Sequence, residues 1–486
     1  MAFEVGWIVR DDGLGSTSGG RGRARRTPPR EVRSPLATER VRAVESERQS
    51  LAAILTLVRS GQATTRLDIE RDARLGRAVV ADRLATLESF GLIDDRGVGR
   101  SIGGRAPRLV RFRAEAGRLL VANIDRDTIG VGLTSLDGKL LLEHYEDIDA
   151  GMSAISLLER LEALFAWSLD QNGADGVWGI SLGLPGPVTS QGASGIVLPD
   201  LRAMPDWHGA CLLERLVERF AAPLWARSAV QVATMGEIGA LTPEQSRDLL
   251  FVDLGTEISA GFLSDGRLHH GAQGIAGSIG HVYVGDAHVE VCGCGNVGCL
   301  QAVAGCEAIA REGLRAATEG QSRVLAETLR KTGVVTVADI GTATRFGDPF
   351  SADLLSRTGR LIGTILATLV NVLNPSIVVV GGELAQTGDI CIAAIREAIY
   401  RHSQPLLTRD LAVIRSRMGR SSGLLGAAEV ALDALFAPEV LKGWIASGSP
   451  LAHPDVVQLL DLARHALHGE AREQAPPAHR ARSVQT

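Results

Sequence analysis

The stretch that decides the reading is Gly277–Gln301, GSIGHVYVGDAHVEVCGCGNVGCLQ. It holds His281, then Cys292, Cys294 and Cys299, with Gly293, Gly295 and Gly298 set among the cysteines. Three thiolates and one imidazole make a complete tetrahedral set for structural zinc and leave no coordination position for water. Glycine suits a backbone folding tightly around a small ion, because positive φ carries no steric cost for it. Cys292 and Cys294 are too close in sequence to bridge each other easily, and nothing else in the chain points to an oxidising compartment. His281, Cys292, Cys294 and Cys299 are therefore the expected ligands of one structural Zn2+.

Read as patterns, the same residues are G-x-x-G-x-x-G-H-x-x-V followed by C-x-C-G-x-x-G-C-L. This resembles the zinc-bearing signature of the ROK family (repressors, open reading frames and sugar kinases), and the likeness extends over roughly residues 50 to 435. The resemblance implies an α/β, two-lobed, actin-like (ribonuclease H-like) sugar-kinase fold, used either as an enzyme or as the sensor of a transcription factor. Other residues must decide between the two.

Upstream, residues 46–113 change character. Leu51, Ile54, Leu55 and Val58 recur at helical spacing and stop at Gly61. Thr64-Thr65 supplies a cap for a helix over Arg66–Asp72, and a turn at Arg74–Gly76 leads to a longer helix, Arg77–Phe90. Leu92 and Ile93 begin a strand whose partner is Arg108–Phe112, across the loop RGVGRSIGGRAP. Three helices and a hairpin make a winged helix-turn-helix. It resembles the N-terminal domain of ROK repressors, with Thr65-Arg66 opening the second helix and G-G-R-x-P in the wing; the family's kinases lack such a domain. The expected DNA contacts are Thr65, Arg66, Arg77 and Arg83 from the helices and Arg100 and Arg105 from the wing. Asp82 opposes them, since a carboxylate near phosphates is repulsive. Residues 1–45, with Gly-Ser runs leading into RGRARRTPPREVR, read as a disordered basic arm.

Composition sets the frame. A chain of 486 residues can hold two or three domains, and 45% hydrophobic residues are ample for a large core. A net charge of −5 excludes a uniformly basic coat, so DNA binding must be local. The N-terminus lacks a basic start and a long apolar run, and stretches such as Leu361–Leu373 are too short to span a bilayer, so a cytoplasmic protein is expected. From about residue 118 the pattern becomes α/β in two halves, each opening on a glycine-bearing hairpin, through the terminal helix Leu424–Leu435. Residues 114–436 read as the ROK-type body. Residues 437–486 read as a largely disordered extension with at most a weak helix at Asp455–His468.

ROK kinases take their catalytic base from an Asn-Asp pair preceding a helix that ends in Gly-Glu. Here Gly236-Glu237 puts Ser228 and Ala229 on that pair, and alanine cannot take a proton. The family's other sugar-site carboxylates fall on Ser278 and Gln301. Of the phosphate loops, the first reads Asn123-Ile124-Asp125-Arg126-Asp127 and the second Gly255-Thr256-Glu257-Ile258-Ser259. Both put acids where phosphate should meet bare backbone, and only Gly381-Gly382 is kept. The resemblance therefore implies a sensor without the kinase reaction, with Ser228, Ser278, His281 and Gln301 toward a sugar or sugar-phosphate effector. It also implies operator DNA as partner and a homodimer or dimer of dimers. The alternatives are a ROK sugar kinase using Asp253 as a stand-in base, and a scaffold that does not bind DNA.

Overall fold

The computed structural model describes residues 47, 49–98, 108–149, 151–172, 176–186, 188, 212–285, 290–447 and 450–473. The expected basic arm lies outside them. Residues 49–59 form α1, whose Leu51, Ile54, Leu55 and Val58 are buried as their spacing requires. α2 (Arg66–Ala73) starts at a capping box, in which the Thr65 hydroxyl accepts the Asp68 N–H and the Asp68 carboxylate accepts the Thr65 N–H. Arg74, left-handed at φ 53°, turns the chain toward α3 (Arg77–Ser89), which buries Val80, Leu84 and Leu87. β1 (Ile93–Val98) and β2 (Arg108–Phe112) pair antiparallel. Three helices and a strand pair thus follow in the order expected of a winged helix-turn-helix, with residues 99–107 between the strands outside the described residues.

Two five-stranded sheets then repeat one topology. In the first, β3 (Arg118–Ile124), β4 (Thr128–Ser135) and β5 (Leu140–Asp147) form an antiparallel meander. β6 (Val177–Leu184) and β7 (Leu224–Ser228) continue it parallel to β3, in the order β5-β4-β3-β6-β7. In the second, β8 (Leu249–Leu254), β9 (Ile258–Ser264) and β10 (Arg267–Leu268) make the meander. β11 (Ile377–Gly381) and β12 (Ala412–Arg415) lie parallel to β8, in the order β10-β9-β8-β11-β12. Asp137-Gly138 turns the first meander, with Gly138 at φ 81°, and Asp265-Gly266 turns the second.

Helices cover both sheets. The first half carries α4 (Ala154–Asn172) and α5 (Leu212–Phe220), and α6 (Ala229–Glu237) and α7 (Pro243–Arg247) lead to the second. There α8 (Leu300–Ala304), α9 (Cys306–Thr318), α10 (Arg323–Thr332), α11 (Val337–Arg345), α12 (Pro349–Leu373), α13 (Asp389–His402) and α14 (Pro405–Thr408) follow. α15 (Ser421–Leu435) then returns to the first half, where Leu424, Ala427, Ala428, Ala431 and Leu432 join the apolar core of β3 and β6. α15 crosses α6 at main-chain contact. A Cβ at Gly426 would stand 1.6 Å from the Val232 carbonyl oxygen, and one at Gly236 would stand 1.9 Å from that of Ser422.

The winged helix is not a bead on a string. Its core residues are continuous with those of the first half, Phe112 packs edge-on to Phe436 at 6.2 Å, and Arg59 pairs with Glu429 of α15 at 3.7 Å. The C-terminal segment is more ordered than its composition suggests. α16 (Pro438–Ser447) and α17 (Pro454–Glu473) bury Val440, Leu441, Val456, Leu459 and Ala463, and α17 docks on α5. The spacing of Val456, Leu459 and Ala463 is that of one helical face, a short stripe easily lost among polar neighbours. No helix among the described residues is long and apolar enough to cross a membrane.

Candidate functional site

The glycine-rich stretch folds into a knot. Tyr283 and Cys299 form one bridge and Val291 and Val297 another, and the Cys292 N–H donates to Asn296 while the Gly295 N–H donates back to Cys292. Gly295 and Gly298 hold positive φ, 89° and 74°, which a side chain would resist. The result brings one nitrogen and three sulfurs within 4.8 Å of one another. His281 Nδ1 lies 3.6 Å from Cys292 Sγ, and the Cys294 and Cys299 sulfurs are 3.7 Å apart. A tetrahedral ion with ordinary zinc bond lengths would set its ligands apart by about 3.6 Å (N to S) and about 3.8 Å (S to S). Two of the spacings match these values and all lie within 4.8 Å, so the four residues could hold a metal ion.

Gln301, expected toward the effector, is spent elsewhere. Its Oε1 accepts the Ile258 N–H at 2.6 Å and its Nε2 donates to the Thr256 carbonyl at 2.8 Å, which clamps the 255–259 loop. The reason is position, since α8 begins at Cys299 and its first turn lies against that loop. Ser278 is exposed and donates to the Ile275 carbonyl. Ser228 is the N-cap of α6, with its Oγ buried and without a hydrogen-bond partner among the described residues. Beside it, Gln231 donates to the Gly274 carbonyl through Nε2, so its Oε1 faces Nδ1 of His270 at 3.2 Å and must accept that proton. Burial, then the neighbouring Arg227, pushes His270 below the usual imidazole range.

Between the two sheets lies a cleft of about 700 Å³. Asp125, Asp127, Asp147, Asp253 and Glu383 line it, against Arg417 and Arg420. Burial and then the neighbouring carboxylates Asp127 and Glu257 hold Asp125 above the usual carboxylate range. Burial, with Asp125 nearby, pushes Asp253 up to about 7. Asp253 sits between two glycine turns, close against Gly255 and Gly382, which makes it an anchor of the loops. Thr256 donates to Asp127 at 2.9 Å, so the 123–127 and 255–259 loops are bonded to each other across the cleft. Arg420 stacks over Tyr145 at 4.7 Å.

On the winged helix, Arg66 and Arg77 are exposed at the starts of α2 and α3. Thr65 is half-buried, and its hydroxyl serves the capping box. Arg83, expected to face DNA, turns inward instead. Its side chain is 17% exposed and binds Ser50, Glu47 and Asp82, bracing α3 on the segment that begins α1. The same pair partly neutralises Asp82, the residue that opposed DNA binding. Arg100 and Arg105 lie outside the described residues. The exposed positions of α3 are Arg77, Ala78, Val79, Ala81, Asp82, Ala85, Glu88 and Ser89, with Arg74 exposed in the turn.

Residues 123–434 match the ROK family, well over half of the chain. The chain belongs to the ROK family. It is 25% identical over 390 residues to the xylose repressor of Caldicellulosiruptor bescii, covering 79% of this chain and 96% of the repressor. It is 26% identical over 316 residues to a glucokinase of Thermotoga maritima, covering 64% of this chain and 96% of the kinase. The repressor alignment is longer than the span that matches the ROK family, whereas the glucokinase alignment is close to it. The fold also matches the crystal structure of a ROK family transcriptional regulator, a homologue of the E. coli MLC protein. That match has TM-score 0.68 and 24% identity, and it covers 85% of this chain and all of the other. The two repeated sheets and the helix crossing are thus the two lobes of a ROK body.

Proposed function

We propose that this ROK family member is a DNA-binding transcription regulator, a repressor of carbohydrate uptake or metabolism genes, whose kinase-like body senses a small sugar or sugar phosphate. The single observation carrying the sensor reading is the start of α6, where Ser228 and Ala229 stand in place of an Asn-Asp base and Ala229 offers nothing that can take a proton. The acid-lined cleft supports it, because carboxylates such as Asp127 and Asp147 stand where a kinase must hold nucleotide phosphates. The winged helix supports the DNA reading, with Arg66 and Arg77 exposed, and the sequence adds Arg100 and Arg105 in the stretch between β1 and β2. His281, Cys292, Cys294 and Cys299 hold a structural Zn2+, and the chain acts as a homodimer or dimer of dimers in the cytoplasm.

The test uses the full chain purified with its metal. Selection on random duplexes at moderate salt should recover a preferred sequence, and a panel of hexoses, N-acetylhexosamines and their phosphates should contain a compound that shifts affinity for it. The same panel with ATP and Mg2+ should give no turnover. Absence of any preferred duplex, or turnover near about 1–100 s⁻¹, would overturn the reading.

A further inference from the structure

α15 touches both the cleft and the DNA-binding domain. At its N-terminal end Ser422 and Gly423 line the cleft, Ser421 donates to Glu143 of β5 at 2.7 Å, and Arg420 caps the ring of Tyr145. Gly423 lies so close to β3 that a Cβ there would stand 2.5 Å from Asn123 Cγ. In its middle, Gly426 meets the main chain of α6. α6 begins at Ser228 and contributes Val232 to the first-lobe core and Ala233 to an apolar cluster with Leu249 and Phe251 of the second lobe. Any change in the angle between the lobes must therefore pass through a contact that has no side chains to absorb it. Within the next turn, Glu429 pairs with Arg59 of α1 and lies against Gly138 at the hairpin tip, and Phe436 follows against Phe112 of the wing strand. The helix spans 15 residues, about 22 Å, with the cleft contacts at its N-terminal end, Glu429 just past its midpoint and Phe436 following its last residue.

We propose that α15 carries the state of the cleft to the winged helix, and that Arg59 is the positioning residue at the receiving end. This rests on the reading of the body as a sensor. A rigid helix held by close backbone contact at one site and by an arginine–carboxylate pair at the other converts a small displacement in the cleft into a tilt of α1. α3 is braced on the start of α1 through Arg83, so the tilt reaches the helix that faces DNA. The Arg59 side chain is 17% exposed and that of Glu429 36% exposed, so their 3.7 Å contact is partly sheltered from solvent.

The test needs no knowledge of the effector. Gly423→Ala drives a methyl group against Asn123 at the cleft end, and Ser421→Ala removes the bond to Glu143 as a milder alternative should the first variant misfold. Hydrogen exchange of residues 49–59 in the full chain should change by about fivefold or more, and affinity for a duplex recovered by selection should change by a similar factor. Exchange of α10, none of whose residues lines the cleft, should stay as it is. In an Arg59→Ala background both effects should shrink below about twofold, because the receiving contact is gone. Unaltered exchange at 49–59 in both folded cleft-end variants, or an effect that survives Arg59→Ala undiminished, overturns the proposal. If selection yields no preferred duplex, the DNA-binding reading fails, while the exchange comparison still decides the role of α15.

Discussion

Gly426→Ala tests the helix crossing on which the two lobes meet. In an exposed helix the change is favourable by about 1 kcal/mol, since alanine loses less backbone freedom on folding. Here the added Cβ would lie 1.6 Å from the Val232 carbonyl oxygen and 2.7 Å from the Gly236 nitrogen. Both are main-chain atoms of α6 and cannot rotate aside. Restoring an ordinary carbon–oxygen contact of about 3.4 Å requires the helices to part by roughly 1.8 Å. That breaches the packing of Leu424, Ala427 and Val232, all buried at the seam. Overpacking of this kind costs about 1–3 kcal/mol, and the lost contacts along α15 add to it. We expect a net loss of at least about 3 kcal/mol, read as a lower urea midpoint by tryptophan fluorescence, and so a reversal of the sign that propensity gives. A loss below about 1 kcal/mol, or a gain, would refute the crossing as described.

Elemental analysis of protein purified without added metal should find one zinc per chain, and Cys294→Ser should abolish it; well-folded wild-type protein with clearly less would count against the four-ligand site. Arg77→Ala should weaken duplex binding and lower the salt slope by about 1, whereas Arg83→Ala should leave the slope alone and cost about 1 kcal/mol of stability. Equal slopes for both variants would contradict the inward placement of Arg83. Folding raises Asp253 from 3.8 to about 7, so the folded chain retains a proton that the unfolded chain releases, and stability should fall as pH rises through that window. Asp253→Asn should flatten the slope, and a denaturation series across the window in both proteins would reveal it.

Much of this was legible in the chain. The knot followed from three cysteines, one histidine and the glycines that free the backbone to fold around them. α1 and α3 followed from apolar residues three and four apart, and the hairpin turns from Asp137-Gly138 and Asp265-Gly266. What escaped reading depended on contacts between distant residues. Gln301 and Arg83 look like outward-facing polar side chains in sequence. Their partners, the 255–259 loop for one and Ser50 and Glu47 for the other, are chosen only once the helices pack. Gly236 and Gly426 lie 190 positions apart, and nothing local in either segment announces that two backbones meet there. α17 was underestimated because Val456, Leu459 and Ala463 make a narrow stripe whose value depends on α5 lying beneath it.

The clamp formed by Gln301 has a thermodynamic corollary. Leu300 alone separates it from Cys299, and the loop it grips hands a hydrogen bond across the cleft from Thr256 to Asp127. An ion that fixes the cysteine thus biases the geometry in which a small molecule would be received, and reciprocity requires the converse. The two would behave as heterotropic ligands of one chain, each titration curve displaced by saturation with the other.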